Sequence, residues 1–311
     1  MNRPQPASPP PHDRTALSYV IGGQSVPVDR LKPGLHIVAT PIGNLGDVTL
    51  RALAALAGAD LIACEDTRVT RKLLDRYGIR TPLTPYHDHN AAEARPKLLR
   101  RLDEGAAIAL VSDAGTPLVS DPGFKLVRDA IAEGLNVHGI PGASAALSGL
   151  VLAGLPTDRF LFAGFLPARE GERKRALEEL KNTPATLIFF ESAQRLSESL
   201  RAMSAVFGPR RAAVARELTK LHEEVRREDL PKLASIFERS MPPKGEVTIV
   251  VAGAKQGETD LSFVDPLLRS ALEFMPLRAA VDLVAAACKV SHTGTYERAL
   301  KIKSDVERTA P

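Results

Sequence analysis

The chain has 311 residues, with 41 basic and 37 acidic side chains, a formal charge of +4 and 44% hydrophobic residues. That length predicts two domains with a small third, and the composition is that of an ordinary globular protein. No apolar run approaches the roughly 20 residues of a membrane-spanning helix, and MNRPQPASPPPHDR carries no signal-peptide core, so cytoplasm is the expected location.

Residues 1 to about 15 are proline-rich and read as a disordered tail. Tyr19 to Val28 holds Gly22-Gly23 between β-prone runs, the pattern of a short hairpin. From Leu35 the pattern alternates. Strands are expected at Leu35 to Ala39, Asp60 to Cys64, Ala106 to Val111 and Leu135 to Ile140. Between them lie helices Val48 to Leu56 (with Leu50, Leu53, Ala54 and Ala57 on one face), Thr67 to Tyr77, Asn90 to Asp103 and Phe124 to Ala132. Asn90 and Glu93 have the spacing of a capping box. Alternating apolar strands and helices predict a mostly parallel sheet covered on both faces.

Gly154-Leu155-Pro156 suggests a domain boundary. A second alternating unit follows, with strands at Phe160 to Phe165, Ala185 to Phe190, Arg211 to Ala215 and Val247 to Ala252. Gly257 to Asp260 reads as a polar linker, and Leu267 to Lys303 as two or three short helices broken at Met275-Pro276 and Ser291 to Gly294. The expected parts are an extension over 1–32, an α/β domain over 33–153, a second over 154–256 and a helical module over 262–306.

Three loops follow strand ends: TPIGNLGD from Thr40, SDAGTPLVSDPG from Ser112 and PGASA from Pro141. In an open parallel sheet, the ligand crevice lies at those ends. Small residues in all three suit close backbone approach to a flat ligand. The first loop is not G-x-G-x-x-G, although Glu65 follows Gly43 by about 20 residues, where a ribose-binding acid would lie. By itself that loop is equally a tight strand-to-helix turn.

Other residue types bear on chemistry. Glu65-Asp66 precedes Thr67, so it either caps a helix or presents a carboxylate beyond a strand end. His87 and His89 are candidate acid–base groups or simply sit in a polar loop. His87-x-His89 lacks the further histidines or cysteines of a metal set, and Cys64 and Cys288 lie too far apart in sequence to supply them, so no metal is expected. Cys64 ends an apolar strand and reads as a buried thiol. Basic clusters at Arg68, Arg71, Lys72, Arg76 and Arg80, at Arg95, Lys97, Arg100 and Arg101, and at Arg173, Lys174 and Arg175 are solvated helix faces or phosphate contacts. Phe189-Phe190 reads as core, and Arg216-Glu217 as an ion pair or an RNA contact.

TPIGN, EDTR, HDHN, SDAGTPLVSDPG, GLPTDRF, GFLP, FFES, ARELTK and KGE occur in this order between Thr40 and Glu246. The series resembles the RsmI family of 16S ribosomal RNA (cytidine-2′-O)-methyltransferases, in the tetrapyrrole-methylase superfamily. The resemblance covers about Leu35 to Gly253 and continues more weakly to about Lys301. It implies two α/β domains of the tetrapyrrole-methylase type with a cofactor cleft between them, plus a small C-terminal helical module. The implied cofactor is S-adenosyl-L-methionine, without metal. The implied partners are 16S ribosomal RNA on the small ribosomal subunit, in its decoding region, and a second copy of the chain in a homodimer.

The same resemblance places cofactor contacts at Pro41, Ile42 and Gly43, at Asp113, Gly115, Thr116 and Pro117, and at Pro141, Gly142, Ala143 and Ser144. Thr116 stands where many relatives carry an acid. Phe190, Glu191 and Leu218 match second-domain positions that close over the cofactor. Candidates for the catalytic work are Asp66 as proton acceptor, Arg68 on a phosphate or on Asp66, His89, and Lys220 on the oxyanion. The helical module, with Lys289, His292, Arg298, Lys301 and Lys303 near its end, either binds RNA or only packs. Two rival readings remain: a tetrapyrrole methyltransferase of the same superfamily, and an RNA- or nucleotide-binding protein without catalysis.

Overall fold

The computed structural model describes residues 17–239, 245–254, 263–288 and 290–309, with side chains described up to residue 304. The tail before Leu17, Lys244, the linker at Gly257 to Asp260 and Lys289 lie outside the described residues. The elements in order are β1 (Ser18–Ile21), β2 (Gln24–Pro27), β3 (Gly34–Val38), α1 (Leu50–Gly58), β4 (Leu61–Cys64), α2 (Thr67–Arg76), β5 (Leu83–Pro85), α3 (Ala91–Asp103), β6 (Ala107–Val111), α4 (Phe124–Ala132), β7 (Val137–Ile140) and α5 (Ala145–Ala153). Then come β8 (Phe160–Phe165), α6 (Glu170–Leu180), β9 (Thr186–Ser192), α7 (Leu196–Phe207), β10 (Arg211–Arg216), β11 (Glu224–Asp229), α8 (Leu230–Arg239), β12 (Glu246–Val251), α9 (Val264–Phe274), α10 (Leu277–Cys288) and α11 (His292–Thr309). The chain forms two compact units: 1–178 with 186–252, and 179–185 with 253–311.

In the larger unit, β5-β4-β6-β3-β7 form one sheet, and every pairing in it is parallel. Its central strands β4, β6 and β3 are largely buried on both faces, as an interior parallel strand requires. Along β6, Ile108 and Leu110 join Leu98, Leu102 and Leu126 on one face, while Ala109 and Val111 join Leu53, Leu56 and Leu74 on the other. That alternation is the period of two of a strand. Within the segment drawn as a 1–32 extension, β1 and β2 pair antiparallel around Gly22-Gly23, and Tyr19 packs into the core beside α1.

The helix expected from Val48 starts later. Asn44 caps a 3-10 turn at Leu45–Asp47, and the Thr49 hydroxyl then accepts from the Ala52 N–H to open α1. Its buried face runs through Ala52, Leu53, Ala55 and Leu56, and Leu50 points outward at 63% exposure. The capping box at Asn90 is absent: its carboxamide bonds His87 N–H and Pro85 C=O instead of its own helix.

The second sheet, β11-β10-β12-β9-β8, is largely antiparallel, with only β8 and β9 parallel. The sequence concealed β11 because EVRRED lies on the sheet edge, where charged side chains face water. α5 packs on this second sheet, with Ala146, Leu150 and Ala153 against Ile188, Ala213 and Val250. Gly149 is required there, since a Cβ would fall 2.6 Å from Thr248 Cγ2.

The smaller unit packs α9, α10 and α11 around Val264, Leu268, Val281, Val284, Ala299 and Ile302. Arg298 clamps Asp265 with two bonds of 2.7 and 3.0 Å. The second break falls at Val290-Ser291, and His292 to Gly294 already belong to α11. No helix of the described residues is long and apolar enough to cross a membrane.

Candidate functional site

β6, β3 and β7 are neighbours in the first sheet, so the three small-residue loops leave adjacent strand ends. They are tied together by backbone. Thr40 and Gly115 exchange N–H to C=O bonds of 2.8 and 3.0 Å. The Thr40 hydroxyl donates to Ser112 C=O, and the Thr116 hydroxyl to Ala143 C=O. Gly115 has φ of +76°, and a Cβ there would meet Ile42 Cγ2 at 3.2 Å. A Cβ on Gly142 would come within 3.0 Å of Ala39 Cβ. Leu118 and Ser120 also hold positive φ, at 73° and 67°. Strained non-glycine residues of this kind persist where the surroundings over-determine them.

These loops form one wall of a cavity of about 350 Å³, and strands of the second sheet form the other. That volume lies within the range of small-molecule sites. Ile42, Asp113, Gly115, Ser120 and Asp121 line the first wall; Phe165, Phe190, Glu246 and Thr248 line the second. Phe190 meets Phe162 and Phe165 edge-on, with centroids 4.8 and 5.7 Å apart. Its neighbour Phe189 is fully buried core. Glu191 borders the cavity, but its carboxylate is buried and occupied. It accepts from Ser192 N–H at 2.8 Å, from the Ser199 hydroxyl, and from Arg195 at 3.2 Å.

Of the expected cofactor contacts, Ile42, Asp113, Gly115, Phe190 and Glu191 line this cavity. Pro41, Gly43, Thr116, Pro117, Pro141, Gly142, Ala143, Ser144 and Leu218 stand outside its lining. Ser144 caps α5, and Leu218 packs behind Ile42 with Ala215. Sequence reasoning missed Ser120, Asp121, Phe165, Glu246 and Thr248. Asp121 carried a signal, because it stands in the second Ser-Asp of SDAGTPLVSDPG.

The loop after β10 reaches across to the first glycine loop. Thr219 Oγ1 accepts from Asn44 N–H at 3.2 Å, and the Lys220 stem lies over Gly43, where a Cβ would sit 2.5 Å from Lys220 Cγ. Glu217 and Thr219 hold φ of 50° and 65°. Lys220 Nζ bonds Glu217 at 3.0 Å and Glu246 at 3.4 Å. Burial opposes its charge, but the Glu217 hydrogen bond and both carboxylate charges outweigh that and hold the ammonium above its ordinary pKa. Arg216 pairs with Glu224 at 2.6 Å rather than with Glu217.

Asp66 is the N-cap of α2, accepting from Arg68 N–H at 2.8 Å. The Arg68 guanidinium returns onto the same carboxylate at 2.6 Å. The guanidinium and then the amide hold Asp66 down at a pKa of about 2. Its own N–H donates to Asp113 at 3.0 Å. Burial raises Glu65, Asp113 and Asp121 above ordinary carboxylates; the Asp66 N–H partly opposes this at Asp113, and Ser112 at Asp121. Burial likewise raises the Cys64 thiol. His87 and His89 meet edge-on at 6.0 Å, and His89 is exposed. Among the described residues, no group of three or more His, Cys, Asp or Glu is arranged to hold a metal.

Arg173 leaves the expected phosphate cluster. It is 5% exposed and donates to Ala168 C=O and Glu198. Its neighbours Lys174 and Arg175 remain on the helix surface.

Residues 34–234 match the family model described as tetrapyrrole (corrin/porphyrin) methylases. A protein of Mesorhizobium japonicum named ribosomal RNA small subunit methyltransferase I is 52% identical over 285 residues, covering 91% of this chain and 97% of that one. A protein of the same name from Escherichia coli O157:H7 is 46% identical, covering 88% and 96%. Among solved structures, cobalt precorrin-4 methyltransferase has a TM-score of 0.53 at 18% identity, over 70% of this chain and 94% of its own. Diphthine synthase has a TM-score of 0.53 at 19% identity, over 70% and 89%. Those two likenesses establish the fold. The parallel sheet with its three tied loops, the family match and the full-length relatives agree: the chain belongs to the tetrapyrrole methylase family and, within it, to the ribosomal RNA small subunit methyltransferase I proteins.

Proposed function

We propose that the chain is an S-adenosylmethionine-dependent methyltransferase that 2′-O-methylates a cytidine ribose of 16S ribosomal RNA on the small subunit, in its decoding region. The observation that carries this is the cavity walled by three backbone loops, in a chain 52% identical to a relative of that name. The residues fit the cofactor. Gly115 leaves room for close approach, Ile42 and Phe190 supply apolar walls, and Asp113 and Asp121 offer acceptors near a cation. Bound there, S-adenosylmethionine supplies an electrophilic methyl group.

The chain's own task is to hold the acceptor hydroxyl and take its proton. Asp66 is a poor acceptor, because Arg68 holds it ionised down to about pH 2. A carboxylate made more basic by burial is better suited, and Asp121 borders the cavity. Lys220 uses two of its three N–H donors on Glu217 and Glu246, leaving one for developing negative charge. Arg68 and His89, both exposed, then serve substrate binding. A homodimer is part of this reading, supported by Leu147 and Val151, which expose apolar side chains one turn apart on α5.

The test is to map 2′-O-methylation of 16S ribosomal RNA in cells with and without the gene. It is paired with methyl transfer from labelled S-adenosylmethionine to purified small subunits. A cytidine methyl lost with the gene and restored in vitro is expected. Transfer to a tetrapyrrole instead, or to nothing, overturns the proposal.

A further inference from the structure

A second cavity, of about 260 Å³, shares Asp121 with the first. Its rigid part is Tyr86, 1% exposed, with Arg95 fixed to Asp129 at 2.9 Å. Asp88, Lys125 and Phe124 also line it, and all three are exposed. Phe124 opens α4 at 64% exposure, while that helix buries Leu126 and Ala130 instead.

A lone exposed apolar residue is ordinary. Phe124 differs by its place. It lines a cavity, next to the site of methyl transfer, at the ligand-bearing end of a parallel sheet. An aromatic face beside carboxylates suits a flat ring that carries an amine. The volume admits a single-ring base, and RNA is commonly read by stacking an unstacked base on an aromatic side chain. Carboxylates accept from the exocyclic amine of cytosine. Asp88 and Asp121 would repel the O4 of uracil, with Lys125 the opposing charge in the lining and Arg95 already committed to Asp129.

We infer that this second cavity receives the cytosine of the target nucleotide, turned out of the RNA, with Phe124 against the ring face and Asp88 accepting from the exocyclic amine. The inference rests on the proposed function. It gives Asp121 a geometric reason to lie between base and methyl donor: the ribose joins the two cavities there. Phe124 and Asp88 then determine which base is presented.

The experiment uses the full chain and small subunits from cells lacking the gene. Phe124→Ala should lower single-turnover kcat/KM by about 10- to 100-fold, the scale of one lost base–aromatic stack. Phe124→Tyr should restore it, and calorimetric affinity for S-adenosylmethionine should not move. With subunits carrying uridine at the target, Asp88→Asn should narrow the cytidine-over-uridine preference by about tenfold. Both side chains are exposed, and melting curves matching the wild type would verify folding. A fully active Phe124→Ala, or an unchanged base preference in Asp88→Asn, overturns the subsite alone. No transfer by the wild type overturns the proposed function and this inference together.

Discussion

Glu217 and Gly245 fit together at the mouth of the cleft. A Cβ on Gly245 would lie 1.8 Å from Glu217 Oε1, and the two residues hold φ of +50° at Glu217 and +93° at Gly245. The glycine is what lets the Glu217 carboxylate reach Lys220. Gly245→Ala should therefore displace Glu217 and strain the backbone, for a loss of about 1–3 kcal/mol. Denaturant unfolding would measure it. In a Glu217→Ala background the same substitution should cost less, because the clash is gone. Equal costs in both backgrounds would mean the two residues are uncoupled.

Gly115 makes a similar demand on the other wall. Its φ of +76° strains any side chain, and a Cβ would crowd Ile42 Cγ2 at 3.2 Å. Gly115→Asp should weaken S-adenosylmethionine binding by at least about tenfold, by replacing close backbone approach with bulk. Calorimetry on the folded variant decides it. Unchanged affinity would move the cofactor away from the three loops.

Much of this architecture was legible before any coordinates. Three loops of small residues after apolar runs located the crevice, because glycine and proline mark strand-to-helix turns that side chains would obstruct. The first sheet was legible because its central strands β4 and β6 are apolar on both faces. The second was less so. β11 is a charged edge strand without periodicity, and antiparallel pairing depends on the turn at Leu218 to Glu223, whose positive φ at Thr219 no residue type announces. Asp66 illustrates the limit at the site. Its position beyond β4 was readable, and so was Arg68 as a partner for a phosphate or for Asp66, but not which of the two Arg68 takes. Asp121 stood in a visible Ser-Asp repeat, but its partial burial at the cavity comes from the fold and not from its neighbours in sequence.

Asp66→Asn tests that reassignment. Asn caps a helix about as well as Asp, so α2 should persist and methyl transfer should stay near the wild-type rate. Asp66→Ala should lower the melting temperature, because the Arg68 amide loses its acceptor. The Asp66 charge supports the fold above its ordinary pKa, and that support fades as pH falls toward about 2. Wild-type melting should reflect this in acid, and the Asn variant should not. Single-turnover transfer reduced by orders of magnitude in Asp66→Asn would restore Asp66 as the proton acceptor.

Asp121→Asn should separate function from stability. As the proton acceptor, Asp121 is worth about 10²–10⁴-fold in transfer rate, which its amide cannot supply. As a half-buried carboxylate, it burdens the fold. Burial raises its pKa in the folded state, with the Ser112 hydrogen bond only partly opposing. The folded protein thus holds that proton more tightly than the unfolded chain. Its contribution is most favourable below the ordinary carboxylate pKa, and it is lost as pH rises through the raised value. The neutral amide escapes this loss. Asp121→Asn should melt higher than the wild type at pH 7, and the difference should shrink by pH 3, where both side chains are uncharged. Calorimetric melts at the two pH values, with single-turnover transfer at pH 7, provide both readouts. A slower and more stable variant is the expected pairing, since an active site keeps a costly charge only where the chemistry uses it. A variant that melts higher and still transfers methyl at the wild-type rate would leave Asp121 as a half-buried charge without a catalytic task, and Asp113, the other raised carboxylate on the cavity wall, would take its place.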